Sequence, residues 1–390
     1  MFKEAYRFGH LAASHLPYLN DPERRHDIVV DLVHNLLEPN PRALAILEGY
    51  FTEGEGRVQD GRLRTSLASG QLLVENPFMV AAGLDKDGKM VLALYTLGAS
   101  LIEVGSVLFR PQKGNSRPRL HEPTPKTLIN AMGFNSEGVF AVREYLKRYK
   151  DSDIPIGINI GLNKIALQDQ ERFPEKLYPY LFAWVAELLC DQASYFVINV
   201  SSPNTPGLRG LLQEEGFLND VIWAMQEVMR KKGVCKPLYI KLSPDLDPQG
   251  TEKVGGVILR HKLAGAICSN TTVNSEIKAD LGQQWVDVKG GVSGAHPMYR
   301  SLVLRQIAQV YRLTQGSVDI IACGGLDGFE PVVNAAYAGA NAFQLLTPLT
   351  RRKPGPFVFH NLIRDSISWM DRVGIKNFNA IRGLHADKFT

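Results

Sequence analysis

The stretch that decides the fold reads YFVI at residues 195–198 and continues as NVSSPNTPGLR at residues 199–209. The first four residues are β-branched or aromatic, which is typical of a buried strand. The prolines that follow exclude both a continued central strand and a helix. Polar loops on a rigid scaffold often carry the chemistry of a protein, so the junction predicts a functional loop. The alternative is a proline-rich turn whose serines hydrogen-bond to their own backbone.

The same change from an apolar run to a polar loop occurs eight times after Pro77. The apolar runs lie at residues 78–82, 101–107, 156–160, 195–200, 238–242, 265–268, 319–323 and 342–346. Helical apolar spacing lies between them, at residues 90–97, 139–149, 177–193, 217–231, 299–314, 329–338 and 357–373. Strands that are apolar throughout belong to a parallel sheet covered by helices, so the pattern predicts a (β/α)₈ TIM barrel. A doubly wound sheet is the alternative, but no G-x-G-x-x-G follows the first strand.

The chain is predicted to divide into a helical unit at residues 1–50, a lead-in at 51–76 and the barrel at 77–390. Asp21, Pro22 and Glu23 form a helix start, and apolar residues recur at positions 28, 29, 32, 33, 36 and 37. Residues 2–16 predict another short amphipathic helix, residues 52–64 a linker and residues 71–74 a short strand. The apolar stripes either pack on the barrel or lie on a membrane surface.

Composition narrows the class of protein. The chain has 390 residues and a net charge of +4, with no long basic run, which argues against nucleic acid as a partner. Its four cysteines lack C-x-x-C spacing, so we expect reduced thiols and no metal site. No apolar run reaches the roughly 18 residues of a membrane span. The first residues resemble neither a secretory signal nor a transit peptide, which favours a cytosol-facing protein.

The residues that follow the predicted strands share one chemistry. In a barrel of this kind they meet at one mouth. Amide and ammonium groups dominate there, with little acid besides Asp85, and they suit an anion and a planar ligand with many carbonyl groups. Glycines near the last two strands predict a phosphate site. Together these features predict a phosphate-bearing planar heterocycle such as FMN. The amides and ammonium groups are those of Asn130, Asn159, Asn199, Asn204, Asn270, Lys86 and Lys241.

Several motifs together resemble the class 2 dihydroorotate dehydrogenases, the flavoenzymes of pyrimidine synthesis. The resemblance covers nearly the whole chain from about residue 20, and its most specific motifs are the strand-four loop and Asn270-Thr271-Thr272. The other matching segments are residues 19–26, 81–86, 103–106, 110–112, 114–115, 132–135, 157–161, 244–246 and 290–294.

The resemblance implies a role for each matching residue. Ser202 is the implied base that takes a proton from C5 of dihydroorotate while a hydride passes from C6 to flavin N5, with Thr205 and Phe134 shaping the proton path. The implied substrate-binding residues are Lys86, Asn130, Met132, Gly133, Phe134, Asn199, Asn204, Asn270 and Thr271. The implied FMN-binding residues are Ala82, Gly83, Leu84, Lys86, Ser106, Asn159, Asn199, Lys241, Ser269, Gly294, Gly324, Gly325, Leu346 and Thr347.

The resemblance also implies partners and a location. Electrons from the flavin pass to a quinone, which reaches it through a tunnel under the N-terminal helices. Those helices imply a peripheral protein on the cytoplasmic side of the inner membrane of a prokaryote. A monomer is favoured.

Three positions depart from the family pattern. The sequence LHE ending at Glu122 stands where Phe-Arg is usual, Ala131 stands where Arg is usual, and Leu346 stands where Tyr is usual. Residues 348–353 are also more basic than expected. The first and third positions border the implied quinone tunnel. One interpretation is sequence drift with the same electron acceptor. The other is that the protein uses a different acceptor, or a quinone with a different head group. Alternatives to the whole assignment are a barrel acting on another dihydropyrimidine and an idle barrel kept as a binding scaffold.

Overall fold

Eight parallel strands close into a barrel. The computed structural model describes residues 21–169, 171–205, 207–211, 214–351 and 354–389. The barrel strands are β1 Phe78–Val80, β2 Ile102–Val107, β3 Ile156–Ile160, β4 Tyr195–Ile198, β5 Leu238–Lys241, β6 Gly265–Cys268, β7 Asp319–Cys323 and β8 Ala342–Leu345. They pair in sequence order, and β8 pairs with β1 to close the ring. The predicted TIM barrel is confirmed, with strand ends within two residues of those predicted, and the doubly wound alternative is wrong.

Helices surround the barrel, and seven of those in the described residues overlap the seven helical segments predicted from the sequence. Their bounds are Val91–Thr96, Val139–Leu146, Lys164–Gln168, Tyr178–Leu189, Leu208–Leu211, Glu215–Lys231, Pro248–Arg260, Ser275–Leu281, Pro297–Thr314, Phe329–Ala338 and Val358–Val373. The helix Pro248–Arg260 was not predicted, since its three glycines weaken the helical pattern. The Asp247 carboxylate nevertheless caps it by accepting from the backbone N–H of Gly250, and Val254, Val257 and Ile258 are buried on its inner face.

The strands are apolar on both faces because both faces are covered. Met79, Val197 and Ile267 belong to a cluster inside the barrel, whereas their chain neighbours pack against the helices. A hairpin of Thr65–Leu67 and Leu72–Val74 adds Leu67 and Val74 to the interior cluster. The predicted lead-in is therefore partly regular structure that packs against the barrel core.

Two helices precede the barrel. Helix α1 spans Pro22–Leu32 and continues as a π-helical turn, Val33–Leu37, and helix α2 spans Pro41–Phe51. The predicted start of α1 is confirmed, since the Asp21 carboxylate accepts from the backbone N–H of Glu23 at 2.9 Å. Helix α2 was not predicted as a separate element, although Asn40 and Pro41 mark its start. The helix predicted within residues 2–16 lies outside the described residues.

Buried carboxylates attach this helical unit to the barrel. Glu38 accepts a 2.8 Å hydrogen bond from the backbone N–H of Ala93 and a 2.6 Å bond from the hydroxyl of Tyr149. Glu23, which is 1% exposed, forms an ion pair with Arg119 at 2.6 Å. Buried charges persist in proteins when they are paired in this way, so the unit is fixed on the barrel at two points.

The apolar residues of the helical unit divide between the barrel and solvent. Val30, Val33 and Leu47 pack against the main core, whereas Leu36 and Ile46 are 60% and 74% exposed. Within the described ranges, no helix has the length and apolar character needed to cross a bilayer.

A second sheet covers the barrel mouth. Its strands are Leu120–Thr124, Thr127–Asn130 and Gly291–Gly294, and the last pairs antiparallel with the middle one. The sequence analysis did not predict the strand Gly291–Gly294. A Cβ atom at Gly294 would lie 2.1 Å from the carbonyl oxygen of Lys126, so only glycine permits the pairing. The sheet ties the long loop after β2 to the loop after β6.

Candidate functional site

A chain of amides crosses the barrel mouth. Asn159, at the end of β3, accepts through Oδ1 from the hydroxyl of Ser106 at 2.6 Å and from Nδ2 of Asn199 at 2.9 Å. The Oδ1 atom of Asn199 accepts from the hydroxyl of Ser201 at 3.0 Å, and that hydroxyl accepts from Nδ2 of Asn270 at 3.0 Å. Residues from four strand ends are thus joined in one network, as the barrel model predicts.

The network begins at a buried carboxyl group that the sequence analysis missed. Glu103 is fully buried in β2. Its Oε1 accepts from Nδ2 of Asn159 at 2.9 Å, and its Oε2 accepts from the hydroxyl of Tyr195 at 2.8 Å and from Nε2 of Gln344 at 2.5 Å. Because Nδ2 of Asn159 is held by Glu103, Oδ1 of Asn159 turns toward Ser106 and Asn199. Glu103 therefore fixes the orientation of the amides above it. The signal was present, since a glutamate inside an apolar strand requires a partner.

The two proposed proton-transfer residues lie beside this network. Ser202 is buried, and its Oγ atom accepts a 3.3 Å hydrogen bond from the backbone N–H of Asn204. Thr205 is also buried, and its hydroxyl oxygen has no hydrogen-bond partner within the described part of the chain. The ring of Phe134 packs close to Gly161, where an added Cβ atom would lie 3.0 Å from it. The loop therefore holds an enclosed hydroxyl that is available to another group.

A cavity of about 630 Å³ opens between helices α1 and α2 and the barrel mouth. That volume falls in the range of small-molecule and cofactor sites. The residues predicted for FMN that line it are Ala82, Gly83, Leu84, Lys241, Ser269, Gly294, Gly324, Gly325, Leu346 and Thr347. The residues predicted for the substrate that line it are Asn130, Met132, Asn270 and Thr271. Those predicted residues that lie outside its lining are Lys86, Ser106, Gly133, Phe134, Asn159, Asn199, Ser202, Asn204 and Thr205.

The inner end of this cavity has the chemistry of a flavin site. Gly324 has φ of 115°, and a Cβ atom there would lie 2.3 Å from the hydroxyl of Tyr299. Only glycine therefore fits at this position, and no side chain of its own covers its backbone. Thr271 and Gln344 each have a buried side-chain oxygen with no partner among the residues described, which is uncommon for buried polar atoms. N–H groups of bound ligands would satisfy both oxygens. The residues present fit FMN.

Lys241 adds a buried positive group to the cavity. It is 4% exposed and lies beside the thiol of Cys323, whose pKa is raised by burial although the ammonium group opposes the rise. An ammonium group enclosed by apolar walls attracts a negatively charged ligand strongly, because little water screens it.

A second, larger cavity of about 850 Å³ is lined by charged side chains of α1 and of the loops after β1 and β2. Lys86 lines this cavity, and burial lowers its pKa, although Asp27, Glu23 and Asp87 oppose the change. The strand-four motif lines neither cavity, whereas Asn270 and Thr271 of the strand-six motif line only the 630 Å³ cavity. We therefore assign the chemistry to the 630 Å³ cavity, which most of the residues predicted for FMN also line.

His26 stands at the boundary, since it lines both cavities. Burial, aided by the positive charge of Lys86, lowers its pKa to about 3, although Glu23 and a hydrogen bond to the backbone of Leu84 oppose this. The imidazole is therefore neutral at physiological pH and adds no charge to the apolar cavity.

Comparisons with known proteins identify the family. The sequence profile of the dihydroorotate dehydrogenase family matches residues 63–370. A protein of Acidithiobacillus ferrooxidans named "Dihydroorotate dehydrogenase (quinone)" is 37% identical, with 86% of this chain and 88% of that protein covered. One of the same name from Rhizobium etli is 32% identical, with 95% of this chain and 94% of that protein covered.

The solved structures agree as well. The crystal structure of DHODH from Eimeria tenella in complex with ferulenol superposes with a TM-score of 0.78 at 26% identity, covering 93% of this chain and 95% of that one. The ligand-free form from the same organism gives 0.76 at 26% identity, with 88% and 98% covered. The family profile, the relatives and the shared barrel together show that this chain is an oxidoreductase that belongs to the dihydroorotate dehydrogenase family, in its class 2 branch.

Proposed function

We propose that the protein is an FMN-dependent dihydroorotate:quinone oxidoreductase, which converts (S)-dihydroorotate to orotate in pyrimidine synthesis. One observation carries the proposal. A single cavity brings together bare glycine backbone, a buried ammonium group at Lys241 and the Asn270-Thr271 pair, under an apolar mouth formed by α1 and α2. That combination suits a phosphate-bearing flavin, a small polar acid and an apolar electron acceptor in one place.

FMN, when bound, supplies a two-electron acceptor for a hydride. The backbone at Gly294, Gly324 and Gly325 would hold its phosphate, as exposed N–H groups do in many anion sites. Lys241 would offset negative charge on the cofactor. Ser106, which is held by Asn159, would also contact the cofactor from the β2 side. The proposed set also includes six residues that line the cavity, namely Ala82, Gly83, Leu84, Ser269, Leu346 and Thr347, together with Lys86 and Asn199 outside its lining.

Dihydroorotate would be held by amides and one ammonium group. Asn130, Asn199, Asn204 and Asn270 offer both donors and acceptors to ring carbonyl and N–H groups. The hydroxyl of Thr271, which has no partner among the described residues, adds one more. Leu84 lines both cavities, and Lys86, two residues later in the chain, lines the 850 Å³ cavity. It would reach the substrate carboxylate through a change of side-chain rotamer.

Ser202 would remove the proton from C5 of the substrate. A serine hydroxyl is a poor base alone, so it needs a group that accepts the proton in turn. The buried hydroxyl of Thr205 has no partner among the described residues, which supports a relay through it. The ring of Phe134 would close the path from the side of Gly161.

The helical unit would attach the protein to a membrane and admit the quinone. Val29, Leu32, Leu36 and Ile46 are all more than half exposed, which supports peripheral binding to a membrane surface. The cytoplasmic side of the inner membrane is the location that the family resemblance implies. Changing Leu32 and Ile46 to Asp should abolish flotation with liposomes, because two charges would face the acyl chains. Changing exposed Leu259 on the helix Pro248–Arg260 should not. Flotation that persists in the double variant would contradict attachment through this surface.

Anaerobic mixing tests the proposed reaction. The purified protein should carry yellow flavin that dihydroorotate bleaches, and a quinone should restore the colour. Flavin that stays oxidised in the presence of dihydroorotate would refute the proposed substrate, whereas flavin that fumarate or oxygen reoxidises faster than any quinone would refute the proposed acceptor.

A further inference from the structure

The wall of the 630 Å³ cavity contains one acid held between two bases. The carboxylate of Glu122 forms an ion pair with Arg25 of α1 through Oε2 at 2.6 Å. Its Oε1 atom accepts from Arg351, which follows β8. All three side chains line the cavity, and their exposed fractions are 28% for Glu122, 16% for Arg25 and 8% for Arg351. Both carboxylate oxygens are thus occupied by guanidinium groups.

Two of the sequence departures meet at this point. Glu122 ends the segment that stands where family members usually have Phe-Arg. Arg351 belongs to residues 348–353, which are more basic than the family pattern predicts. They are 229 residues apart in the chain and contact each other directly. Independent drift gives no reason for an unexpected acid and an unexpected base to pair. The contact indicates that the two changes form one feature.

The cavity that the trio lines has a largely apolar wall. Val33, Leu47 and Phe51 come from the helical unit, and Leu97 comes from the barrel side. Little water screens charges in such a place, so the sign of each charge strongly affects which ligands enter. The nearby acid Asp327 is itself paired with Lys126 at 3.1 Å and with Arg300 at 2.8 Å. Within the described part of the chain, Glu122 is an acid that pairs with both Arg25 and Arg351.

We propose that Glu122 sets the charge selectivity of the apolar mouth of this cavity, where the electron acceptor would bind, so that the mouth takes neutral apolar acceptors and disfavours acceptors that carry a carboxylate. The inference rests on the proposed function, since it concerns the second substrate of that reaction. A carboxylate that approached Arg25 or Arg351 would have to compete with Glu122 and would be repelled by it. A neutral carbonyl group meets no such repulsion and can accept from either arginine.

The proposed charge selectivity can be tested by calorimetry on the FMN-loaded protein. The measurement compares the affinities of two ligands that have alkyl chains of the same length. Decan-1-ol and decanoate differ at the head group, where one is neutral and the other is an anion. The wild-type protein should bind decan-1-ol more tightly. Glu122→Gln should strengthen decanoate binding by about 10- to 100-fold, the usual range for charge-assisted hydrogen bonds, and should leave decan-1-ol binding nearly unchanged.

Asp27→Asn is the matched control. It removes an acid from α1, the helix that carries Arg25, where Asp27 pairs with Arg117 at 2.6 Å outside this cavity, and the preference for decan-1-ol should persist. If Glu122→Gln does not fold, Glu122→Met removes the same charge with a side chain that needs no hydrogen-bond partner, and the same gain is expected.

Three results would overturn the inference. An unchanged ratio of decanoate to decan-1-ol affinity in a folded Glu122 variant would remove Glu122 from selectivity. An equal gain in Asp27→Asn would show a general effect of charge. Absence of decan-1-ol binding in every protein would refute the acceptor cavity as well. Flavin reduction by dihydroorotate is measured separately, so the first two results leave the proposed function standing.

Discussion

Replacing Ser202 by alanine should leave FMN bound and slow the reduction of the flavin by dihydroorotate by about 10²–10⁴-fold, the usual contribution of a positioned base. The hydroxyl is buried, and its oxygen already accepts from the backbone N–H of Asn204 at 3.3 Å. That contact orients the side chain without consuming the hydroxyl proton. Alanine keeps the loop backbone and removes only the group that would take the proton from C5. Stopped-flow absorbance of the flavin measures the rate.

Ser366→Ala is a suitable control for the loss of a buried hydroxyl. Ser366 lies on the helix Val358–Val373, and its hydroxyl donates to the carbonyl of Leu362 at 2.6 Å, away from the barrel mouth. The control should reduce its flavin at the wild-type rate. A Ser202→Ala protein that does the same would remove Ser202 from the mechanism, and loss of FMN from that variant would point to a structural role instead.

Replacing Glu103 by leucine should lower the free energy of unfolding by about 3–5 kcal/mol, the usual cost of breaking a buried polar network by removing one partner. The carboxyl group accepts from Asn159, Tyr195 and Gln344 inside the barrel. Leucine would leave these donors buried without an acceptor. The Asn159 amide would also lose the contact that sets its orientation. Urea denaturation in the presence of excess FMN measures the change.

Glu144→Leu provides the comparison for Glu103. Glu144 lies on the helix Val139–Leu146, is 64% exposed and pairs only with nearby Lys147 among the described residues. Its replacement should change the free energy of unfolding by less than about 0.5 kcal/mol, as is usual for surface positions. A Glu103→Leu protein as stable as the control would mean that the donors find other acceptors, and the role given to Glu103 would be wrong.

The barrel was predictable because its signals are local. Each strand is a short apolar run, and the residues that follow each run are polar, so strand ends could be located from neighbouring residues alone. Helices rich in glycine, such as Pro248–Arg260, lack a strong local signal and become helical through burial of Val254, Val257 and Ile258 on the barrel. The strand Gly291–Gly294 was missed for a related reason, since its partner Thr127–Asn130 is distant in the chain.

The site was predictable only in part. The cavity includes Lys241, Asn270 and Thr271 as expected, because barrel strands bring their carboxyl ends together. Lys86 instead lines the neighbouring cavity, since the direction of a long side chain depends on the packing around it. The pairing of Glu122 with Arg25 and Arg351 joins three separate elements, and no local pattern indicates it. The sequence shows each departure from the family pattern separately, and only the structure shows that two of them are in contact.

The central claim is that one cavity at the barrel mouth holds both a flavin and a small pyrimidine acid that reduces it. The most direct measurement is anaerobic stopped-flow spectroscopy of the purified yellow protein mixed with dihydroorotate, with orotate quantified in the quenched mixture. We expect the flavin band to bleach in a single turnover, with one orotate formed for each flavin reduced, and then to recover when a quinone is added. Protein that carries no flavin, or flavin that dihydroorotate leaves oxidised, would contradict the account.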